Sequence, residues 1–113
     1  MIKKFAWLDC DPGHDDALAI AILTAGEALA NCKLIGMSTV GGNADLTNCT
    51  ANARKMLILS KYDKINVYPG ARQPLIRKSR YAPDVHGETG LDGTSTLGKI
   101  KLPKEKFSPG SAI

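Results

Sequence analysis

Phe5-Ala6-Trp7-Leu8-Asp9-Cys10-Asp11-Pro12-Gly13-His14-Asp15-Asp16-Ala17-Leu18-Ala19-Ile20 passes from one apolar run, through a polar turn, into another. Lys3 to Asp9 predicts a short buried strand, since Phe5 to Leu8 are continuously apolar. Cys10 to His14 holds a Pro-Gly turn signal. From Asp15 to about Leu29 the apolar residues crowd together (Ala17 to Leu23), which predicts a largely buried helix. Two aspartates at its start suit the positive end of the helix dipole.

On the C-terminal side, Lys33 to Val40 reads as a second strand, closed by Gly41-Gly42-Asn43. Leu46 to Ser60 reads as a second helix, with Ala51, Ala53, Met56, Leu57 and Leu59 able to face a core. Ile65 to Tyr68 is a third strand, stopped by Pro69-Gly70. Strand and helix thus alternate, which predicts an α/β fold: a Rossmann-like parallel sheet with flanking helices and right-handed crossovers. Residues 1–70 form this βαβαβ core. Beyond Gly70 the periodicity fades, and residues 71–113 read as a loop-rich segment with at most short elements. In such sheets ligands bind at the carboxyl ends of the strands. Asp9–Asp16 and Gly41–Asp45 both fall there.

The chain has 113 residues, 43% of them hydrophobic and 23% charged, as in an ordinary globular domain. Its net charge of +4 invites a nucleic-acid reading. Residues 1–70, however, balance seven basic against seven acidic side chains, so the whole excess falls in the loop-rich part. Only Tyr81 and Phe107 are aromatic there, too few for a base-stacking surface. No nucleic-acid partner is expected. No apolar run approaches the roughly 18 residues that span a bilayer, so no membrane partner is expected either. Met1-Ile2-Lys3-Lys4 is basic, but Asp9 and Asp11 cut short the next apolar stretch, unlike a signal peptide. Cys10, Cys32 and Cys49 lack paired spacing for zinc or redox work, which points to a reduced, cytoplasmic protein.

Chemistry concentrates in Asp9, Asp11, Asp15 and Asp16. Two flank a strand end and two open a helix across one tight turn, so folding is expected to bring four carboxylates together. At ~5 Å and an effective dielectric near 20, each like-charge pair costs on the order of 3 kcal/mol. A hard divalent cation with oxygen ligands, Ca²⁺ or Mg²⁺, offsets that cost directly. Taken singly, Asp15 or Asp16 would be a helix cap and Asp9 or Asp11 a turn residue; four within eight residues exceed what capping needs. An EF-hand loop starting at Asp9 would want an acidic twelfth residue, where Ile20 stands. Cys10 inside the cluster has no histidine base in evidence and reads as a small packed residue.

The segment Asp9-Cys10-Asp11-Pro12-Gly13-His14-Asp15-Asp16-Ala17 resembles the Asp-x-Asp-Pro-Gly-x-Asp-Asp-Ala signature of the inosine–uridine-preferring nucleoside hydrolase family. Other stretches are similar too: Ser38 to Asn43, Asn52-Ala53-Arg54, Val67 to Ala71 and Val85 to Leu91. Tyr81-Ala82-Pro83-Asp84 is most similar to uridine-type members. The resemblance implies Ca²⁺-dependent hydrolysis of the N-glycosidic bond of a purine or pyrimidine ribonucleoside, a reaction of nucleoside salvage. By matching position, Asp11 would ligate calcium and act as general base, and Asp16 would be a calcium ligand. Asp15 would hold ribose hydroxyls, Asn43 would contact ribose and the catalytic carboxylate, and Asp9 would support the cluster from behind. His86 would lie near the leaving base; its alternative is an exposed loop histidine. His14 reads as structural.

Family members are longer, and their later part supplies further calcium and leaving-group residues. The expectation is therefore that residues 1–113 are the N-terminal part of one nucleoside hydrolase domain, an incomplete portion of an enzyme that is a homodimer or homotetramer when complete. Two other readings stand beside it. One is a non-catalytic chain or subunit that binds nucleoside or metal. The other is a haloacid-dehalogenase-like phosphatase, which also opens with two aspartates after a first strand. That pattern wants Thr or Val near position 13, where this chain has Gly13, and it leaves Asp15-Asp16 unexplained.

Overall fold

A computed structural model describes residues 2–93 and 95–109. Three parallel strands, β1 (Lys4–Cys10), β2 (Cys32–Thr39) and β3 (Val67–Pro69), lie in the order β1-β2-β3. Two long helices connect them, α1 (His14–Ala30) and α2 (Leu46–Leu59). Two single-turn helices come after β3, α3 (Pro83–His86) and α4 (Ser95–Gly98).

Each boundary has a local cause. Asn31 ends α1 in the left-handed conformation (φ 50°), its backbone N–H donating to the Gly26 carbonyl. Asp45 caps α2, its carboxylate accepting from the Asn48 N–H at 2.7 Å. Strand β3 is shorter than its apolar run suggests, because Ile65 already closes a turn onto the Tyr62 carbonyl.

Both long helices pack on one face of the sheet, against β2 and against each other. The core there joins Cys10, Ile20, Leu34, Met37, Ala53, Leu57 and Val67, one or more from every long element. A buried hydroxyl pair, Thr39 and Thr50 at 2.8 Å, ties β2 to α2 inside it.

The opposite face carries an aromatic row. Trp7 stacks on Tyr68 (centroids 5.6 Å apart), and Tyr68 meets Phe107 at 4.3 Å. The pairing of β1 with β2 shifts between Ala6 and Trp7, so that Ile35 is an extra residue and Trp7 falls opposite Gly36. The indole lies over that glycine, and a Cβ on residue 36 would sit 2.8 Å from Trp7 Cε3. Gly36→Ala is expected to destabilise the protein by about 1–3 kcal/mol through overpacking. Urea unfolding followed by the fluorescence of the single tryptophan measures it.

Two expectations about burial need correcting. The apolar run of β1 predicts burial, yet Phe5 is 64% and Trp7 48% exposed. The crowded apolar residues of α1 predict a largely buried helix, yet Leu18 and Ile22 are both about 60% exposed, and over residues 14–29 only Ile20 and Thr24 are buried. The reason is position in the sheet. β1 is an edge strand with β2 as its one neighbour among the described residues, and α1 packs on β2 and α2, which leaves its far side uncovered. An apolar run reports a tendency to be buried; whether something lies against it depends on neighbours.

Candidate active site at the strand ends

The site is built where β1 and β2 end. Because β1 stops at Cys10, strand alternation does not carry through to Asp11, and Asp9 and Asp11 part company. Asp9 stays on the aromatic face, where its carboxylate accepts from Ser38 Oγ at 2.6 Å. Ser38 in turn accepts from the Trp7 indole N–H at 2.9 Å. Asp9 therefore braces the first two strands from behind and does not join the other carboxylates.

Asp11 turns toward the helix start. Its backbone N–H donates to Asp16 Oδ2 at 3.2 Å, which binds the strand end to the first turn of α1. Its own Oδ2 accepts from the Asn43 backbone N–H at 2.8 Å, and its carbonyl accepts from Asn43 Nδ2 at 3.0 Å. Asn43 thus grips Asp11 twice, by main chain and side chain. Gly42 makes this possible: a Cβ there would strike the Asp11 carboxylate. Asp15, one residue before Asp16, is exposed in the first turn of α1.

Electrostatically the site is short of positive charge. Partial burial pushes the Asp16 carboxyl up from its usual range, and the negative neighbours Asp15 and Asp11 push it further. The ion pair among the described residues, Lys3 with Glu27, is elsewhere. Cys10, buried beneath the aspartates, is pushed up to about 12 by that burial and by Asp16, Asp9 and Asp11. It is a neutral packed thiol, not a nucleophile.

The four carboxylates do not form one cluster, and among the described residues no group of three or more His, Cys, Asp or Glu is placed to hold a metal. What stands together is a pair, Asp11 and Asp16. Their chemistry fits a hard cation: carboxylate oxygens, excess negative charge, and no ion pair to either among the described residues. A pair of carboxylates supplies part of such a coordination shell.

The segment after β3 closes over this turn. Gly41 N–H donates to the Ala71 carbonyl and Ala82 N–H to the Asn43 carbonyl, so residues 72–81 are pinned at both ends to the Gly41–Asn43 turn. Buried Asn52, on α2, donates to the carbonyls of Pro12 (3.2 Å) and Thr89 (2.7 Å). That one amide joins the aspartate turn to the loop bearing His86. His86 arrives half-buried at the end of α3, and its ring meets His14 with centroids 5.4 Å apart. His14, 72 residues away in sequence, is thus part of the site. No local pattern announced it, because neither segment has a period linking it to the other. A separate groove of about 410 Å³, between the end of α2 and residues 103–107, contains none of these groups.

Fold and site define a Rossmann-like α/β protein with an acidic turn at the carboxyl ends of its strands. The chain belongs to the inosine-uridine preferring nucleoside hydrolase family, which matches residues 6–112. It is 51% identical over 94 residues to a uridine nucleosidase from Saccharomyces cerevisiae, covering 82% of this chain and 27% of that protein. It is 42% identical over 102 residues to a pyrimidine-specific ribonucleoside hydrolase, RihA, from Enterobacter sp. (strain 638), covering 90% of this chain and 30% of that protein. Among solved structures it is similar to a plant nucleoside hydrolase (33% identity, TM-score 0.73), covering 94% of this chain and 33% of the other. It is also similar to a purine-preferring ribonucleoside hydrolase from Gardnerella vaginalis (27% identity, TM-score 0.68), covering 90% of this chain and 31% of the other. The chain therefore spans about a third or less of the length of these relatives.

Proposed function

We propose that the protein hydrolyses the N-glycosidic bond of a ribonucleoside, uridine foremost, to ribose and the free base. The observation that carries this is Asp11 clamped by Asn43 beside Asp16, at the strand ends of a chain that matches the family over residues 6–112. The pyrimidine choice is supported by the two curated relatives above, one a uridine nucleosidase and one pyrimidine-specific.

The work divides among a few side chains. Asp11 Oδ2 is held by the Asn43 N–H, its carboxyl lies beside that of Asp16, and Oδ1 is the oxygen that the Asn43 clamp does not use. That oxygen is free to take a proton from the attacking water. The water oxygen bonds to C1′, the C1′–N bond breaks, and its electron pair leaves with the base. The ribosyl group passes through an oxocarbenium-like state, which the negative charge of Asp11, Asp15 and Asp16 stabilises. Asp15, exposed at the helix start, is available to ribose hydroxyls. Asn43 spends its Nδ2 on Asp11 and keeps its side-chain oxygen for the sugar. His86 serves the leaving base.

Asp11 and Asp16 would hold a calcium ion. When bound, that ion supplies charge neutralisation and a more acidic water. No helix among the described residues is long and apolar enough to cross a membrane. The same proposal takes the enzyme as cytoplasmic and homo-oligomeric, with its three cysteines free.

The test is release of ribose from uridine and inosine by the protein as it exists in its source, with calcium present. No release from either overturns the reading. Calcium or ribose binding without release would favour the non-catalytic alternative. Asp16→Asn is expected to weaken calcium binding by at least about tenfold, since one of two carboxylates is lost; equilibrium dialysis reads this directly.

A further inference from the structure

His14 and His86 are tied together more closely than two loop-side histidines need to be. His86 Nδ1 lies 3.2 Å from His14 Nδ1 and 3.3 Å from the His14 backbone nitrogen. The two rings stack at an interplanar angle of 19°. On its far side His14 Nε2 is 2.9 Å from the Asp92 carbonyl, which can only accept, so Nε2 carries the hydrogen, His14 Nδ1 accepts, and the hydrogen between the two rings stands on His86 Nδ1. The circuit closes because the Asp92 N–H donates to the His86 carbonyl at 3.2 Å.

Asp92 is itself anchored. Its carboxylate accepts from the Glu88 N–H at 3.0 Å and from the Thr89 hydroxyl and N–H. The hydrogen bond from Thr89 holds its carboxyl below the usual range. His14 therefore bridges a rigid turn to the ring of His86. Gly13 leaves the room: a Cβ there would sit 2.5 Å from His86 Nδ1 and 2.8 Å from Asn43 Nδ2. The His86 ring thus packs against the aspartate turn itself, close to the residue that clamps Asp11. Every contact described for the ring nitrogens falls on Nδ1, so Nε2 is without a hydrogen-bond partner among the described residues.

We propose that His14 is a positioning residue: it fixes the His86 ring by its Nδ1 edge, so that Nε2 is presented to the leaving base. This rests on the hydrolase reading and deepens it. It gives a role to a residue that the sequence marked only as structural. His14 touches no substrate in this scheme and acts through His86.

His14→Phe keeps a stackable ring and the backbone N–H but removes both ring nitrogens. With uridine, kcat is expected to fall about 10- to 100-fold with little change in KM, as when a positioned acid–base group is misaligned. With 4-nitrophenyl β-D-ribofuranoside, whose leaving group departs without a proton, the fall is expected to be at least tenfold smaller. In a His86→Ala background, His14→Phe is expected to add almost nothing, because the two act as one unit. Equal losses on both substrates, or independent losses in the double variant, would overturn the proposal while leaving the hydrolase reading intact. A wild-type protein inactive on both substrates would sink the hydrolase reading instead. Side-chain ¹⁵N NMR separates the cases without turnover: His86 ring signals unchanged by His14→Phe also overturn the proposal.

Discussion

Asn in place of Asp11 is expected to lower kcat for uridine by about 1,000-fold or more, the range for loss of a positioned general base. The substitution is nearly isosteric, so the fold has no steric reason to change. The backbone bonds of Asp11, from its N–H to Asp16 and from Asn43 Nδ2 to its carbonyl, do not involve the carboxylate and persist. What changes is chemistry. An amide oxygen can still accept from the Asn43 N–H, but neither amide atom takes up a proton near neutral pH. The loss should therefore appear in kcat far more than in KM. Ribose release under saturating uridine measures it, with the circular dichroism spectrum as control. Turnover within tenfold of wild type would remove Asp11 from the role of base.

The second large effect comes from a residue with no functional group. Gly42→Ala is expected to reduce kcat about 100-fold, the scale associated with misplacing a catalytic group by an ångström. A Cβ on residue 42 would overlap the Asp11 carboxylate, and would lie 2.9 Å from its Cγ. Neither side has room to yield freely. Asp11 is held by Asn43 at two points, and residue 42 is fixed by its own N–H, which donates to the Ala44 carbonyl. The carboxylate must rotate off the Asn43 N–H or the turn must open. Either response separates Asp11 from its clamp, so weaker calcium retention should accompany the lost turnover. Normal kinetics in this variant would mean that Asp11 need not occupy the observed position.

Much of this site was legible because it is local. Asp11 and Asp16 lie within one strand–turn–helix stretch, and the Pro12-Gly13 turn is short enough to fold the strand end back on the helix start. Their adjacency comes from chain connectivity. Asp9 was harder. Four aspartates within eight residues suggest one cluster, but the strand ends between Asp9 and Asp11, and Asp9 finds Ser38 on the neighbouring strand. Asn43 could be assigned through family resemblance, yet its double grip on Asp11 depends on β2 ending beside β1.

The order of elements, the parallel sheet and the end of it where chemistry gathers are all written in the local pattern of residues. They come from apolar periodicity and turn residues, which act over a few residues at a time, and from the handedness of crossovers, which follows from strand twist. Contacts across the fold settle the rest. They set Asp9 apart from Asp11, left Trp7 and Leu18 exposed, and placed His14 against His86. The physical reason is common to all three: burial and hydrogen bonding are satisfied by whatever lies across the fold. Local pattern limits the backbone path but does not name the partner 72 residues away.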